Sequence, residues 1–497
     1  MINPAYTHYE KSYKDSEWGS IGLPLGLLYV ASALEEKSCQ VHVVDSLASE
    51  HTRLIKNKDY TYHGIPSETL ERIIKEINPD MIGISSQFTA QEENVLKTAD
   101  LAKKINDSVL VIAGGANVSC RGRRLLYNNS SIDIAVTSEG ERIIKEIVDF
   151  YRGKKTLENI SGIMYRQGTE IKETDKSLHI KDLDEIGFPA YHLVDMEKYL
   201  TLYQSGIYSR DRDVERNISM ITSRGCPFKC VFCSISQSMG RQWRAHSAEY
   251  IIRHIEKLSS NFNVKHIHFE DDNLLLKPER FLPVLDVLSK KKITWDTPNG
   301  VRVDLSINTD MLAKMKQSGC KSLTIGVESG DEYILKNVVK KRIKLPDVEE
   351  FARRSKRVNL PLRAFFVLGF PGETLETMQR TADFALHLLK TYNVEIINLI
   401  ATPLFGTELY DICRKSNFIP DEITSRMLSE STVSDGYCLI NTDSFSSKDV
   451  ERMSKLLTAK VYRQLAVKAI SHPFKSIKRV GNMYVLTRTL KRMSFWS

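Results

Sequence analysis

Cys226-Pro227-Phe228-Lys229-Cys230-Val231-Phe232-Cys233 is the stretch of this sequence that decides both its fold and its chemistry. It holds three of the eight cysteines of the chain, with the spacing Cys-x3-Cys-x2-Cys, directly after a predicted strand at 218–222. Three thiolates on one short loop can ligate three irons of a [4Fe–4S] cluster and leave the fourth iron open to a substrate or cofactor. The predicted metal ligands are therefore Cys226, Cys230 and Cys233.

A structural zinc site is the alternative interpretation of these cysteines. It needs a fourth ligand, which Cys320 or a histidine would have to supply from a distant part of the chain. Zinc sites usually show two paired sets of ligands, and the sequence has no second Cys-x2-Cys pair. The pattern therefore favours the iron–sulfur cluster.

Length and composition limit the class of protein. The chain has 497 residues, of which 42% are hydrophobic and 27% charged, so two or three domains fit and global disorder is excluded. The longest apolar stretch, Ile21 to Leu34, is broken by proline and glycine, so no membrane span is predicted. The first residues lack the features of a secretory signal, so we expect a cytoplasmic protein whose cysteines are metal ligands or buried thiols.

Positive charge is concentrated at the C-terminal end. The net charge is +8, yet residues 451–497 alone hold eleven Lys and Arg against one acid, Glu451. The rest of the chain is close to neutral, so no nucleic-acid partner is predicted. The basic tail also contains aromatic residues. It either makes peripheral contact with an anionic membrane surface or packs as a C-terminal helix with a solvated face.

Short apolar strands alternate with helices over residues 1–155. This alternation predicts an α/β domain with a Rossmann-like parallel sheet that is covered on both faces. Ligands of such sheets bind beyond the carboxyl ends of the strands, where this chain has small or polar residues. The predicted strands are 41–45, 80–86, 108–113 and 132–136, and the residues at their ends include Ser85, Ser86, Gly114, Gly115, Glu139 and Gly140.

A second alternating series occupies residues 216–412. Six strands separated by helices suit a partial (β/α)6 barrel. Residues 156–215 are predicted as a hairpin followed by a polar linker, and residues 413–497 as a helical region with a basic tail. The six barrel strands are predicted at 218–222, 264–269, 294–296, 322–327, 363–368 and 395–400.

The cysteine motif resembles the signature of the radical S-adenosylmethionine (SAM) superfamily. That signature is Cys-x3-Cys-x-aromatic-Cys at the end of the first barrel strand, and Phe232 is the aromatic residue here. The resemblance covers residues 217–410 and implies that the open iron chelates the amino and carboxylate groups of SAM. One electron from the cluster then cleaves SAM to methionine and a 5′-deoxyadenosyl radical, which a dry barrel protects.

The resemblance also implies SAM contacts at other strand ends. Asp271 and Asp272 resemble the acidic segment near the SAM amino group. Glu328 and Ser329 resemble the fourth-strand end, where a glutamate approaches the ribose or the amine. Arg302 would meet the SAM carboxylate as a forked donor, with a surface salt bridge as the alternative.

Two further barrel segments carry predictions. Gly369 and Gly372 resemble the glycine-rich segment that lies near the adenine of SAM. His266 and His268 alternate onto one face of a strand, where a polar barrel interior is favoured over a second metal site. Neither segment offers an obvious catalytic acid or base.

One branch of the superfamily has an N-terminal cobalamin-binding domain, and the chain resembles that arrangement from end to end. Gly114-Gly115 matches the glycine pair that lets the nucleotide tail of cobalamin run against the backbone. Ser85 and Ser86 stand where that branch presents a hydroxyl to the tail. Glu139-Gly140 ends the next strand, so it is included among the predicted cofactor contacts.

The chain departs from the branch in two respects. The Asp-x-His-x2-Gly motif is absent, because Asp45 is followed by Ser46-Leu47-Ala48-Ser49. The resemblance then implies that cobalt receives no histidine from that loop. The apolar run of the first strand is reduced to Met1-Ile2, so a weak first strand is expected.

These resemblances imply a cobalamin-dependent radical SAM enzyme that methylates an unactivated carbon of a small-molecule or lipid-like substrate. A low-potential donor such as flavodoxin or ferredoxin would supply the electrons. One alternative is an oxidative cyclase or ring-rearranging enzyme, like the anaerobic porphyrin-ester cyclases. Another is a non-catalytic cobalamin or redox sensor, which the intact barrel strand-end motifs disfavour.

Overall fold

The computed structural model describes residues 1–9, 22–176, 179–202, 216–303, 307–431 and 437–471. Residues 1–176 form a seven-stranded sheet with helices on both faces and a smaller sheet beside it. In chain order the elements are β1 (Ile2–Asn3), β2 (Tyr6–Tyr9), α1 (Leu25–Glu35), β3 (Val44–Asp45), β4 (Arg53–Lys56), β5 (Tyr60–Gly64), α2 (Ser67–Ile77), β6 (Met81–Ser85), α3 (Glu92–Ile105), β7 (Leu110–Gly114), α4 (Ala116–Asn128), β8 (Ile134–Val136), α5 (Gly140–Tyr151), β9 (Ile163–Gln167) and β10 (Glu170–Glu173).

The seven-stranded sheet has the order β10-β9-β8-β7-β6-β1-β3. Its strands β3, β1, β6, β7 and β8 are parallel. The three strands β6, β7 and β8 consist almost entirely of apolar or small residues because both faces are covered. Ile82, Ile84 and Val111 pack against α2, α3 and α4 on one face, and Ile112 and Ile134 pack against α1 and α5 on the other. The predicted Rossmann-like sheet is confirmed.

Two parts of this sheet differ from the prediction. The hairpin of β9 and β10, predicted to begin the linker, extends the sheet because β9 pairs antiparallel with β8. We therefore place the first domain boundary near residue 176. The first strand is short, as expected, but it is an internal strand of the sheet, since Ile2 pairs with both Val44 and Ile84. The predicted strand 41–45 keeps only its last two residues.

The structure contains a three-stranded antiparallel sheet, β2-β5-β4, which the sequence did not predict. Tyr6 opposes His63 in it, so the pairing joins segments that are far apart in the chain. The backbone N–H of Thr7 donates to Gln91 Oε1 (2.8 Å). This bond fastens the small sheet beside the carboxyl end of β6.

The remaining described residues form a second parallel sheet with helices outside it. A π-helical turn, Ile334–Val338, follows its fourth strand. The elements are α6 (Met196–Leu202), β11 (Asn217–Met220), β12 (Ser223–Arg224), α7 (Ile235–Ser238), β13 (Arg244–Ala245), α8 (Ala248–Phe262), β14 (His266–Phe269), α9 (Leu282–Lys291), β15 (Thr294–Val301), α10 (Thr309–Gln317), β16 (Cys320–Glu328), α11 (Leu345–Arg357), β17 (Leu362–Leu368), α12 (Leu375–Tyr392), β18 (Glu395–Ile400), α13 (Glu408–Lys415), α14 (Ser425–Ser431) and α15 (Ser447–Ser471).

This sheet has the order β11-β14-β15-β16-β17-β18, and all six strands are parallel. Within the described part of the chain, β18 does not pair with β11, so the barrel is partial, as predicted. One strand is longer than expected, because β15 continues past the predicted 294–296. Pro298 and Gly300 indicate a turn in the sequence, but the strand accommodates them through a shifted register between Thr297 and Val301.

The C-terminal helix α15 packs on the barrel. Its Val450 and Leu457 are buried, and Ser454 accepts a hydrogen bond from Asn398 Nδ2 of β18 (2.8 Å). The basic segment predicted after residue 471 lies outside the described residues. Among the residues that are described, no helix combines the length and apolar character needed to cross a membrane.

Helix α1 of the N-terminal region shares a hydrophobic core with the barrel. Leu25 and Leu28 of α1 belong to the same buried cluster as Ile218 and Met220 of β11. Burial of each leucine contributes about 2 kcal/mol, so the N-terminal region and the barrel are firmly joined. The boundaries near residues 215 and 412 remain predictions.

Candidate functional site

The cysteine motif lies in a loop that a short antiparallel ladder closes. β12 pairs with β13, and residues 225–243 run between them. Gly225 starts this loop at φ +80°, where an added Cβ would collide with the carbonyl oxygen of Gln242, so only glycine fits. The N–H of Cys226 donates to Gly240 O (3.2 Å). The cysteine loop, residues 225–243, is therefore held compactly at the carboxyl end of β11.

The donor set of the cysteine loop fits a cluster better than a single ion. Burial raises the pKa of all three half-buried thiols, that of Cys233 to about 12, so they become thiolates when metal displaces the protons. Three thiols on one short loop suit the three-thiolate ligation of a [4Fe–4S] cluster with one open iron. Cys320, considered for a zinc site, begins β16 at the opposite end of the barrel, where its Sγ contacts Ser322 O (3.6 Å).

Asp271 and Asp272 have different surroundings, although both are predicted near the SAM amino group. Asp271 is buried and accepts hydrogen bonds from Thr222 N–H (3.1 Å), Thr222 Oγ1 (2.8 Å) and Ser223 Oγ, so it braces the end of β11. Asp272 accepts from Gly225 N–H (3.2 Å), and burial raises its pKa to about 6. Of the two, Asp272 is the one that remains a candidate for SAM.

Three charged side chains face the cysteine loop. They are Arg302 just after β15, Glu328 at the end of β16 and Lys341 after the π-helical turn. Glu328, at φ +71°, forms a buried ion pair with Lys341 Nζ (2.7 Å). Arg302 Nη2 donates to the carbonyl of Lys341 (2.8 Å), and its guanidinium stacks on Phe228 at 3.6 Å. Burial raises the pKa of the Cys230 thiol, and the positive charges of Lys341 and Arg302 oppose part of that rise. Two cations and a carboxylate beside the loop suit the zwitterionic end of SAM.

Lys341 is missing from the sequence-based prediction. It stands in the run Lys340-Lys341-Arg342, which in the sequence resembles a solvated surface. In the structure Lys341 is only 8% exposed, whereas Lys340 pairs with Glu408 at the surface. Gly326 makes room for Lys341, because an added Cβ would collide with its Nζ. The π-helical turn just before it is a feature often found at functional sites, but no sequence motif marks it.

Ser329 does not face the cysteine loop. Its side chain is fully buried, and its Oγ bonds to Thr381 Oγ1 of α12 (3.0 Å) and accepts from Asp331 N–H (3.2 Å). Ser329 therefore fastens the end of β16 to α12, and a direct contact with SAM is not supported. The prediction included Ser329 as part of the fourth-strand end that follows Glu328. Side chains of successive residues in a strand point to opposite faces, so Ser329 points away from the face of Glu328.

Gly369 and Gly372 lie in the turn after β17, both at positive φ (+95° and +101°). Glu373 organises this turn, since its Oε2 accepts from the N–H groups of Gly369 (2.8 Å) and Phe370 (2.9 Å). The ring of Phe232 lies 5.8 Å from that of Phe370. The structure thus places the predicted adenine neighbours beside the cysteine loop.

Glu373 gives a testable pH dependence. Burial raises its pKa from 4.5 to about 7, so the folded chain holds a proton there that the unfolded chain releases. The contribution of Glu373 to the free energy of unfolding should therefore fall by roughly 3 kcal/mol as the pH rises through this interval, and the wild type should lose about that much stability relative to Glu373→Gln. Urea unfolding of cluster-free protein at about pH 5 and about pH 7.5 measures this. An unchanged slope in Glu373→Gln, relative to the exposed control Glu376→Gln, would contradict it.

The carboxyl ends of β6 and β7 carry the predicted cobalamin contacts. Gly115 has φ +119°, and an added Cβ would lie 2.6 Å from the carbonyl oxygen of Ser86. The hydroxyl of Ser86 accepts from Asn117 Nδ2 (3.0 Å), so it is satisfied within the domain. Ser85 and Gly114 oppose each other at the ends of the paired strands. Gly115 thus lets the turn after β7 pack against the backbone of Ser86, at the strand ends where the resemblance predicts the ligand.

Replacement of Gly115 tests how closely this edge is built. Gly115→Ala forces a Cβ against backbone at a positive φ, so we expect a loss of about 2 kcal/mol in the free energy of unfolding. Gly114→Ala is the matched control, because its Cβ would meet Val136 at an ordinary 3.7 Å; its effect should stay within about 0.5 kcal/mol. Urea unfolding measures both, and equal stabilities would contradict the expectation.

Glu139 and Gly140 are not at an open edge, contrary to their prediction as cofactor contacts. The carboxylate of Glu139 is buried against Arg224 (3.0 Å) and Arg244 (2.8 Å) of the barrel region. Gly140 begins α5, and an added Cβ would lie 2.9 Å from Val30 of α1. Glu139 therefore joins the two domains, and Gly140 permits two helices to pack.

The interior of the barrel is polar, as predicted for the His-x-His pair. His268 Nδ1 lies 2.7 Å from Asp296 Oδ1, and His266 Nε2 lies 3.6 Å from the same oxygen. One ligand atom from each of these three residues lies within 4.8 Å of the others, close enough to share an ion. However, Arg363 Nη1 already stands 3.8 Å from Asp296. A cation there opposes metal binding, and hydrogen bonding accounts for the cluster.

Glu270 extends this polar interior toward the cysteine loop and is also missing from the prediction. Its Oε1 accepts from Ser219 Oγ (2.9 Å), and Asn299 Nδ2 donates to its backbone carbonyl (2.8 Å). Burial raises the pKa of Glu270. From the run Glu270-Asp271-Asp272, the sequence analysis predicted SAM contacts for the two aspartates. Only the barrel geometry shows that Glu270 is the residue whose side chain points inward.

Both halves of this site match known protein families. The Radical SAM superfamily matches residues 220–385, and the B12 binding domain matches residues 16–148. An uncharacterized methyltransferase of Pyrococcus horikoshii is 31% identical over 404 residues, which cover 81% of this chain and 80% of the relative. Cytidylyl-2-hydroxyethylphosphonate methyltransferase of Streptomyces wedmorensis is 25% identical over 459 residues, which cover 86% and 84%.

A solved structure has the same fold. The radical SAM methyltransferase TsrM from Kitasatospora setae, with cobalamin and a [4Fe–4S] cluster bound, matches with a TM-score of 0.64. The match covers 85% of this chain and 78% of TsrM at 16% identity. At this identity the similarity establishes the common fold of the two domains and leaves the substrate open.

Proposed function

Because the chain belongs to the cobalamin-binding branch of the radical SAM superfamily, we propose that it methylates an unactivated carbon of a polar small molecule. The observation that carries this proposal is the meeting of a three-thiol loop with complementary charges at the carboxyl ends of the barrel strands. When bound, the cluster and SAM supply a 5′-deoxyadenosyl radical and cobalamin supplies the methyl group. The residues that meet there are Cys226, Cys230, Cys233, Asp272, Arg302, Glu328 and Lys341.

Each of these residues has a part in holding SAM. The three cysteines bind the cluster, and the Asp272 carboxylate lies where it can accept a hydrogen bond from the SAM amino group. Lys341 and Arg302 supply positive charge for the SAM carboxylate, while Glu328 keeps Lys341 in place. No acid or base is needed, because hydrogen-atom and methyl transfer move no proton to the protein.

The barrel interior favours a polar substrate over the lipid-like one considered from the sequence. Alternate residues of β14 and β15 turn His266, His268 and Asp296 inward, and Arg363 of β17 joins them. Polar groups of a small molecule would find donors and acceptors in this set. We expect the substrate to carry hydrogen-bonding groups beside the methylated carbon.

Enzymes of this superfamily take electrons from a reductant. We propose a low-potential donor such as flavodoxin or ferredoxin, as in a cytoplasmic setting. Of the basic C-terminal region, α15 packs on β18 and α12, so one face of this helix is covered by the barrel. Similarity to methyltransferases favours methylation over the oxidative cyclase, and product mass separates the two, since methylation adds one carbon.

Anaerobic reconstitution tests the proposal. Protein purified without oxygen should show the ultraviolet–visible bands of both a [4Fe–4S] cluster and a corrinoid. With dithionite and SAM it should release 5′-deoxyadenosine. A cluster spectrum without corrinoid would remove the cobalamin part, and absence of 5′-deoxyadenosine in fully loaded protein would favour the sensor.

A further inference from the structure

A buried charge network joins the cysteine loop to the B12-binding domain. Arg224 and Arg244 belong to β12 and β13, the ladder that closes the loop, while Glu139 and Glu141 stand at the start of α5. Arg224 lies 3.0 Å from Glu139 and 2.6 Å from Glu141, and Arg244 lies 2.8 Å from Glu139. All four side chains are at most 9% exposed. Two positive and two negative charges therefore neutralise each other away from water.

Arg244 connects three separate parts of the chain. Besides Glu139, its Nη1 donates to Ile180 O (2.6 Å) in the linker, and its Nη2 donates to Met239 O (2.8 Å) within the cysteine loop. The N–H of Ile180 donates in turn to Glu139 Oε2 (2.8 Å). A guanidinium presents its donors in a rigid fork, so one side chain sets the relative positions of domain, linker and loop.

The contribution of this network is positional more than energetic. Removing two ion pairs from water costs about as much as their attraction returns, so buried pairs add little net stability. The domains are already joined by the apolar core that α1 shares with β11. Apolar contacts tolerate sliding, whereas charge-assisted hydrogen bonds are directional. Arg224 stands two residues before Cys226, so a shift of the network moves the first cluster ligand with it.

We propose that Arg224, Arg244, Glu139 and Glu141 are positioning residues that hold the cysteine loop at a fixed distance from the cobalamin-binding edge of the sheet. This inference rests on the proposed function. In a methyl transfer, one substrate carbon has to meet both the radical formed at the cluster and the methyl group on cobalamin. A displacement of about 1 Å between the two centres would separate SAM cleavage from methyl transfer.

Two variants and a matched control test the inference. Glu139→Gln removes one charge but keeps the shape of the side chain. Arg244→Lys keeps the charge but loses the fork, and it preserves the test if Glu139→Gln folds poorly. Asp133→Asn is the control, because Asp133 pairs with Lys103 (2.9 Å) within the B12-binding domain, at the amino end of β8 and away from the ladder.

Hydrogen exchange of the full-length protein as purified is the first measurement. We expect exchange in residues 225–243 and in the first turn of α5 to become about tenfold faster in Glu139→Gln and Arg244→Lys, as loss of a charge-assisted hydrogen bond implies. Exchange in the loop should be unchanged in Asp133→Asn. Uniform acceleration of all segments, or none in the loop, would overturn the inference.

Electron paramagnetic resonance of the reconstituted protein is the second measurement. In the wild type, the reduced cluster should speed the electron-spin relaxation of cob(II)alamin to a single rate, because one fixed distance separates the two centres. In both variants we expect that enhancement to be weaker and heterogeneous, because the distance between the two centres varies. Wild-type enhancement in both variants would contradict the inference. If the wild-type protein binds no corrinoid, the proposed function fails, while the exchange experiment still decides whether the network positions the loop.

Discussion

Cys230→Ala should reduce the release of 5′-deoxyadenosine by about three orders of magnitude or more, to the background rate. A [4Fe–4S] cluster held by two thiolates has lost one of its protein ligands, and the iron that binds SAM is no longer the single open corner. The broad absorption of the cluster should disappear in the same variant. High-performance liquid chromatography of the reaction with dithionite and SAM measures the product.

Cys39→Ala is the control for that loss. Cys39 is half-buried like the three ligands, but its Sγ lies 3.8 Å from Arg152 Nη2 on the far side of the N-terminal domain. Iron content and product release should match those of the wild type. If Cys230→Ala kept a cluster and cleaved SAM at the wild-type rate, the assignment of the three ligands would be wrong.

Lys341→Met should weaken SAM binding by about 10- to 100-fold, since a hydrogen bond to a charged group contributes about 1.5 to 3 kcal/mol. The ammonium group is buried beside Glu328 and reaches the region of the cysteine loop. Its loss also leaves Glu328 without its cation, so SAM would meet a bare carboxylate. Isothermal titration of SAM into the reconstituted, unreduced protein measures the affinity.

The neighbouring lysine provides the control. Lys340 pairs with Glu408 at the surface, and both side chains are more than 40% exposed. Lys340→Met should change SAM affinity and unfolding temperature very little, because exposed pairs contribute about 0 to 1 kcal/mol. A Lys341→Met protein that unfolds at lower temperature but binds SAM normally would show that this lysine serves folding alone.

Elements built from local pattern could be predicted from the sequence. The strands of both sheets are short apolar runs between helices, and each of the six barrel strands is found within a few residues of its expected position. The exceptions depend on pairing between distant segments. The sheet β2-β5-β4 and the addition of β9 and β10 to the first sheet need partners that local sequence does not reveal.

The residues of the candidate site also fall into those that the sequence could predict and those that it could not. The three cysteines are recognised from their spacing, because ligands on one loop must be close in the chain, and the glycines after β17 are recognised through the family resemblance. Lys341 and Glu270 could not be found, since charged residues of this kind are mostly solvated. The functions expected of Asp271, Ser329 and Glu139 changed once their partners were visible: Thr222, Thr381 and the two arginines of the ladder.

The sequence by itself determined the metal chemistry and the class of both domains. A ligand triplet and the alternation of strands and helices are properties of neighbouring residues, which no later folding step rearranges. Tertiary structure alone decided which carboxylates are available to a cofactor and which are used to join domains. That choice depends on the charges brought near each group and on how much water is removed from it, and these come from residues distant in the chain.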